Sequence, residues 1–238
     1  MAVIIYINCC NKSADTNANK LFDKKYAAVV IAALILMIWL PTIVAYYPAV
    51  FMGDSEDVIY MAYNHPTKVG SSVVPIKEGI YITNHHPAVY TGYVSLFLHV
   101  VRALGGSYNL GIFLCAITQG LLTLCILTYS CMYCAKKLHN GKLAFAAALF
   151  YALFPLIPRY AIMITKDTFF ADFLFLWAIL LHKTIHTENT KKDIMALAVT
   201  SAGIVLIRKN GVYVIILTLV FAAVLYQHFW KRWIFVLA

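Results

Sequence analysis

The sequence predicts an all-α fold: a polytopic transmembrane helical bundle with interfacial helices in its first outer loop. Three observations predict it. First, 62% of the 238 residues are hydrophobic and 12% are charged, about half the ~25% charge of a soluble domain, which leaves too little polar surface to cover a water-exposed globule. Second, the apolar residues come in long blocks, as in membrane spans, and the mean hydropathy is +0.78. Third, the net charge of +9 comes from short basic clusters set between those blocks. That is the pattern of cytoplasmic loops, and it argues against a nucleic-acid partner.

The N-terminal stretch MAVIIYINCC is short, has no basic flank and runs into the polar tract Asn11 to Lys20. It is therefore no cleavable signal, and residues 1–25 read as a cytoplasmic tail ahead of a transmembrane domain over 26–238. The first span runs from Tyr26 to Tyr46, with Pro41 near its outer end. A polar stretch, Pro48 to Pro87, follows with four acids and three histidines. Further apolar blocks lie at Ala88–Ala103, Leu110–Tyr133, Leu143–Ile164, Thr168–Leu181, Ile194–Ile207 and Val212–Phe229. About six spans result, and the final run Trp233–Ala238 reads as the start of a further one in a longer protein.

Whether Ala88–Ala103 crosses is decided by charge. If it stays outside, the inner face receives Lys12, Lys20, Lys24, Lys25, Lys136, Lys137, Lys142, Lys183, Lys191, Lys192, Lys231 and Arg232, twelve of the nineteen bases. If it crosses, every later loop flips and nine remain inside. The positive-inside rule therefore predicts a cytoplasmic N-terminus, a multi-pass cell-membrane protein, and an interfacial or re-entrant helix at Ala88–Ala103.

Cys9, Cys10, Cys115, Cys125, Cys131 and Cys134 all fall outside the outer segments, so no disulfide framework is implied. Cys131 and Cys134 have redox or metal spacing, but no partner pair or nearby histidine completes a site. They read as small apolar filler.

The outer face collects four segments able to carry chemistry. GDSEDVIYMAY, Gly53 to Tyr63, places three acids in four positions before an apolar tail that reads as a short helix on the membrane. Such acids bind a divalent cation or act as a base. Asp54 and Asp57 would share a helical face, with Glu56 pointing to solvent. NHHPAVYTGY, Asn84 to Tyr93, presents His85 and His86 at a turn, since Pro87 biases His86 away from helix. RYAIMITKDTFFADF, Arg159 to Phe173, sets Lys166 and Asp167 at a helix boundary and Asp172 about a turn and a half further in, where ionisable residues are costly and a structural Lys–Asp interaction is the plain reading. LIRKNGVYV, Leu206 to Val214, keeps Arg208 and Lys209 on the face where bases are disfavoured, which points to an anionic ligand.

These pieces, in this order, resemble membrane glycosyltransferases of the GT-C class, and more closely a GT-C-like polytopic family of Gram-positive bacteria, over Tyr47 to Val214. The resemblance implies transfer of a sugar from a polyprenyl-phosphate donor, a membrane lipid, to an acceptor at the outer face. It implies catalytic roles for Asp54, Asp57 and Asp167, and substrate binding by His85, His86, Lys166, Arg208, Lys209 and Asn210. A divalent metal cation is the candidate cofactor, with Asp54 and Asp167 its candidate ligands. One departure is Lys166, where the relatives carry a longer, more apolar residue before the second acid. A transporter or flippase, or an inactive fragment of a longer membrane protein, are the alternative readings.

Cysteines placed at Ser72 and Ser107 should both react with an impermeant maleimide in intact cells. Labelling of the first without the second would make Ala88–Ala103 a crossing helix.

Overall fold

The computed structural model describes residues 22–63, 75–77, 80–81, 86–137, 139–186 and 191–225. Among them, nine helices run in chain order: α1 (Ala27–Ala45), α2 (Gly53–Ala62), α3 (Ala88–Ala103), α4 (Tyr108–Lys136), α5 (Gly141–Leu153), α6 (Leu156–Ala161), α7 (Lys166–His186), α8 (Lys191–Ile207) and α9 (Gly211–Leu225). A two-stranded antiparallel ribbon, β1 (Pro75–Lys77) with β2 (Ile80–Tyr81), lies between α2 and α3. Three helices are long and apolar enough to cross a membrane: α1, α4 and Lys166–Ile185 of α7. Helix α5 and Gly211–Ala222 of α9 are apolar but shorter. This is the helix content of a membrane protein.

The chain divides into two compact units. The first holds α1, the part of α4 from Gln119 onward, α5 and α6. Here the expected single span Leu143–Ile164 is broken. Phe154, the residue before Pro155, turns extended (φ −76°, ψ 111°) and ends α5. Pro155 has no N–H to offer the Tyr151 carbonyl four residues back, and the Trp39 indole of α1 donates to that carbonyl instead, at 3.0 Å. The fully buried Gln119 amide likewise donates to the carbonyl of Ala161, the last residue of α6, at 3.2 Å. Apolar surroundings leave no water to satisfy these groups, so side chains do it.

The second unit holds Pro48–Thr118 and Met163 onward. Helix α3 begins and ends where the sequence predicts. Pro87 is its extended N-cap, and its C-terminus is a Schellman turn: Gly105 is left-handed (φ 79°), Gly106 N–H donates to the Val101 carbonyl at 2.8 Å, and Gly105 N–H to that of Arg102 at 3.0 Å. The chain reverses there, and α3 runs back-to-back with the first three turns of α4. A Cβ on Gly111 would sit 3.3 Å from the Leu98 Cα, and the Tyr93 hydroxyl donates to the Cys115 carbonyl at 2.7 Å.

Helices α7, α8 and α9 form the core of this unit around Trp177, Leu180, Leu197, Ile204, Ile215 and Leu219. The Trp177 indole donates to Ser201 Oγ at 2.8 Å, and Gly203 admits the Phe173 ring to within 3.3 Å of where a Cβ would be. Between α8 and α9 the turn is closed by Gly211, where a Cβ would meet the Ile204 carbonyl at 2.7 Å. Only glycine fits there without a shift.

Replacing Trp39 by phenylalanine should cost about 2–3 kcal/mol, from lost burial plus an unpaired carbonyl. In a Pro155→Ala background, where residue 155 regains its N–H, that cost should shrink. Equal losses in both backgrounds, read by detergent denaturation, would dismiss the indole–carbonyl bond as the reason.

Candidate functional site

Two short segments of the second unit are stitched together before any charge is considered. Val50 and Met163 form a parallel bridge, and Ile164 N–H donates to the Val50 carbonyl at 3.2 Å. Three residues beyond Val50 begins α2, whose inward face is Ser55, Val58, Met61 and Ala62, the i, i+3, i+6, i+7 spacing of a helix lying on a surface. Two residues beyond Ile164 begins α7. The starts of α2 and α7 are therefore side by side although about 112 residues separate them.

That juxtaposition brings Asp54 against Lys166. Lys166 Nζ lies 3.1 Å from Asp54 Oδ2, with side-chain exposures of 8% and 41%. The same ammonium lies 3.2 Å from Nδ1 of His86, which is itself buried. An ammonium only donates, so Nδ1 accepts and a neutral His86 carries its proton on Nε2. The next residue of α7 faces another way. Asp167 Oδ1 is 3.1 Å from Nη1 of Arg208 in the α8–α9 turn, both about half-exposed, and the Arg208 guanidinium lies 5.5 Å from the Phe170 ring centroid. Two opposite charges adjacent in sequence are thus each paired with a distant segment.

All four segments singled out from the sequence meet at the first turn of α7. Asp54 comes from the first, His86 from the second, Lys166 and Asp167 from the third, Arg208 from the fourth. Asp57 is half-buried on α2 and Glu56 is exposed, as their helical positions require. Lys209 and Asn210 are exposed in the α8–α9 turn beside Arg208. His85 lies outside the described residues. The plain reading of Lys166, a structural Lys–Asp interaction, is met by a long-range pair with Asp54. Asp172, about a turn and a half further into α7, is buried.

Sequence reasoning missed Ser55, which is completely buried. Its signal was present in the spacing of Ser55, Val58, Met61 and Ala62, but three flanking acids drew attention to the polar face. It also missed a second cluster in the same unit. Tyr63, just past α2, meets His99 of α3 and Tyr108 of α4 edge-on, at centroid distances of 5.8 and 4.9 Å. Arg102 covers the Tyr108 ring at 4.6 Å. Burial, with Tyr108 adding and Arg102 opposing, pushes the Tyr63 hydroxyl up to about 12, so it stays a neutral phenol at physiological pH.

For a metal ion the fit is poor. Among the described residues no group of three His, Cys, Asp or Glu side chains gathers to hold one. Each candidate carboxylate, Asp54 and Asp167, instead faces a side-chain cation.

These features define a class: an all-helical membrane protein whose ionisable residues converge on the N-terminus of one long apolar helix. Within that class, the chain belongs to DUF6020, a family of unknown function, whose model matches residues 9–238. No curated protein and no solved structure matches it.

The two ion pairs should differ in cost when broken. Asp167→Asn opens a half-exposed pair and should lower stability by about 0–1 kcal/mol. Asp54→Asn leaves a buried ammonium short of its counter-ion and should cost about 2 kcal/mol, less than a fully buried pair because the carboxylate is partly solvated. Adding Lys166→Met should recover much of that loss. Equal costs for the two single variants would show that Lys166 does not depend on Asp54.

Proposed function

We propose that this protein is a multi-pass membrane protein of glycosyltransferase type, with a cytoplasmic N-terminus. It would transfer a sugar from a polyprenyl-phosphate-linked donor to an acceptor at the outer face. One observation carries the reading: four motifs spread from Asp54 to Arg208 meet at one helix end. Charged residues are costly at a membrane, and gathering them at one place favours chemistry over chance.

A length argument supports the placement. Lys166 at the start of α7 and the Lys183–Asp193 pair near its end are 17 residues apart, about 26 Å at 1.5 Å per residue. A hydrocarbon core is about 30 Å thick. The site and the Lys183–Asp193 pair then belong to opposite faces, and the lysine-rich α7–α8 connection lies inside, as the positive-inside rule prefers. Helix α4 has 29 residues, about 44 Å and longer than the core. Its first three turns, with α3 packed on them, are taken as the interfacial part of the first outer segment.

In this reading Asp54, half-exposed and oriented by Lys166, takes the proton from an acceptor hydroxyl. The acceptor oxygen forms its bond to the anomeric carbon as the bond from that carbon to the phosphate oxygen breaks. The negative charge left on the lipid phosphate faces Arg208 and Lys209, whose donors suit a phosphate. Asp167 holds Arg208 in position, and His86 holds Lys166.

Asp54 has two parts to play, so its single variant does not separate them. In proteoliposomes supplied with a polyprenyl-phosphate-linked hexose, Asp54→Asn should lower turnover by about 10²-fold or more. Glu56→Gln should change little. The double variant Asp54→Asn with Lys166→Met regains stability and should remain inactive. Activity recovered together with stability would make Asp54 a structural counter-ion, and ion-coupled uptake without sugar transfer would move the protein to the transporter class.

A further inference from the structure

We propose that Ser55, which carries no charge, is the positioning residue of the site. It sets Asp54 against Lys166. The inference deepens the proposed function, since it matters for turnover only if Asp54 and Lys166 are the working pair.

Ser55 is the third residue of α2 and completely buried. A buried hydroxyl needs both its donor and its acceptor capacity met. Ser55 Oγ accepts from the backbone N–H of Met52 at 2.9 Å and donates to the carbonyl of Ile164 at 2.6 Å. The first bond satisfies an amide just ahead of α2, the reciprocal half of a capping box. The second ties the first turn of α2 to the segment leading into α7. Ser55 N–H meanwhile donates to the Met52 carbonyl at 2.8 Å, so both ends of the residue tie into the same turn.

The consequence follows from chain continuity. Asp54 is the residue before Ser55, and Lys166 is two residues beyond Ile164. Fixing Ser55 Oγ on the Ile164 carbonyl fixes the backbone distance that the Asp54–Lys166 pair has to span. The Val50–Met163 bridge aligns the two segments but ends before either charge. Ser55 Oγ adds a tie one residue from Asp54. Without it, α2 keeps its apolar seat on α3 through Val58, Met61 and Ala62, while its first turn is free to lift. A half-exposed carboxylate then gains water, and the buried ammonium loses its counter-ion.

The test reads Lys166 directly and needs no substrate. In detergent-purified full chain, acetylation by an amine-reactive ester is followed residue by residue by mass spectrometry over time. Ser55→Ala should raise the Lys166 acylation rate by about tenfold, the scale of losing one buried hydrogen bond. Lys183, paired with Asp193 at the far end of α7, reports the rest of the fold and should keep its rate. Ser95→Ala removes a different contact on α2, Ser95 Oγ to the Ala62 carbonyl at 3.4 Å, and should leave Lys166 protected. An unchanged Lys166 rate in Ser55→Ala would overturn the proposal, as would Lys166 and Lys183 rising together or an equal effect of Ser95→Ala. If the labelling follows expectation and no variant, wild type included, transfers sugar, the positioning role stands and the glycosyltransferase reading falls.

Discussion

A buried ammonium cannot be left alone. The Lys166 side chain is 8% exposed at the start of a long apolar helix, and in such surroundings an unpaired charge costs several kcal/mol. The chain answers by bringing Asp54 and His86 to it from segments 112 and 80 residues away. Much of the second unit can be understood as the means of delivering those two side chains. The Val50–Met163 bridge and Ser55 deliver Asp54. Pro87, by holding the backbone extended ahead of α3, delivers His86. The neighbouring Asp167 then draws the α8–α9 turn in through Arg208, and that turn is shaped by Gly211, where no Cβ fits.

The two ion pairs are built for different work. Lys166–Asp54 is half sealed and carries its own histidine, so it is a fixture of the fold. Arg208–Asp167 is about half-exposed on both sides, where ion pairs contribute little to stability. An open guanidinium beside exposed Lys209 and Asn210 is better suited to exchange partners with an anion than to hold helices together. The first turn of α7 thus carries one sheltered pair and one open to solvent.

The first unit shows the same rule in uncharged form. Pro155 breaks the expected single span into α5 and α6 and strips one carbonyl of its partner, and the Trp39 indole supplies it. Gln119 does the same at the end of α6. In an apolar setting a carbonyl freed by a break in a helix needs a new donor, and here side chains supply it.

From composition alone came the helical membrane class, because apolar blocks of this length have few other uses. Local chemistry also marked both ends of α3, since Pro87 and the Gly105–Gly106 pair act within their own few residues. The four segments bearing the site were visible because charge at a membrane stands out against an apolar background. What no local signal carried was who meets whom. Two aspartates, Asp167 and Asp172, lie far nearer to Lys166 along the chain than Asp54 does, and the pairing with Asp54 depends on a bridge between Val50 and Met163 that leaves no periodic trace in the sequence. Ser55 was hidden for the same reason: its partner, a backbone carbonyl, has no residue identity to read. The break at Pro155 was legible in principle, but whether a proline kinks or ends a membrane helix depends on a donor arriving from elsewhere, here Trp39. Sequence determined which residues would be forced to find partners; tertiary structure chose the partners, because pairing is a matter of distance and not of order along the chain.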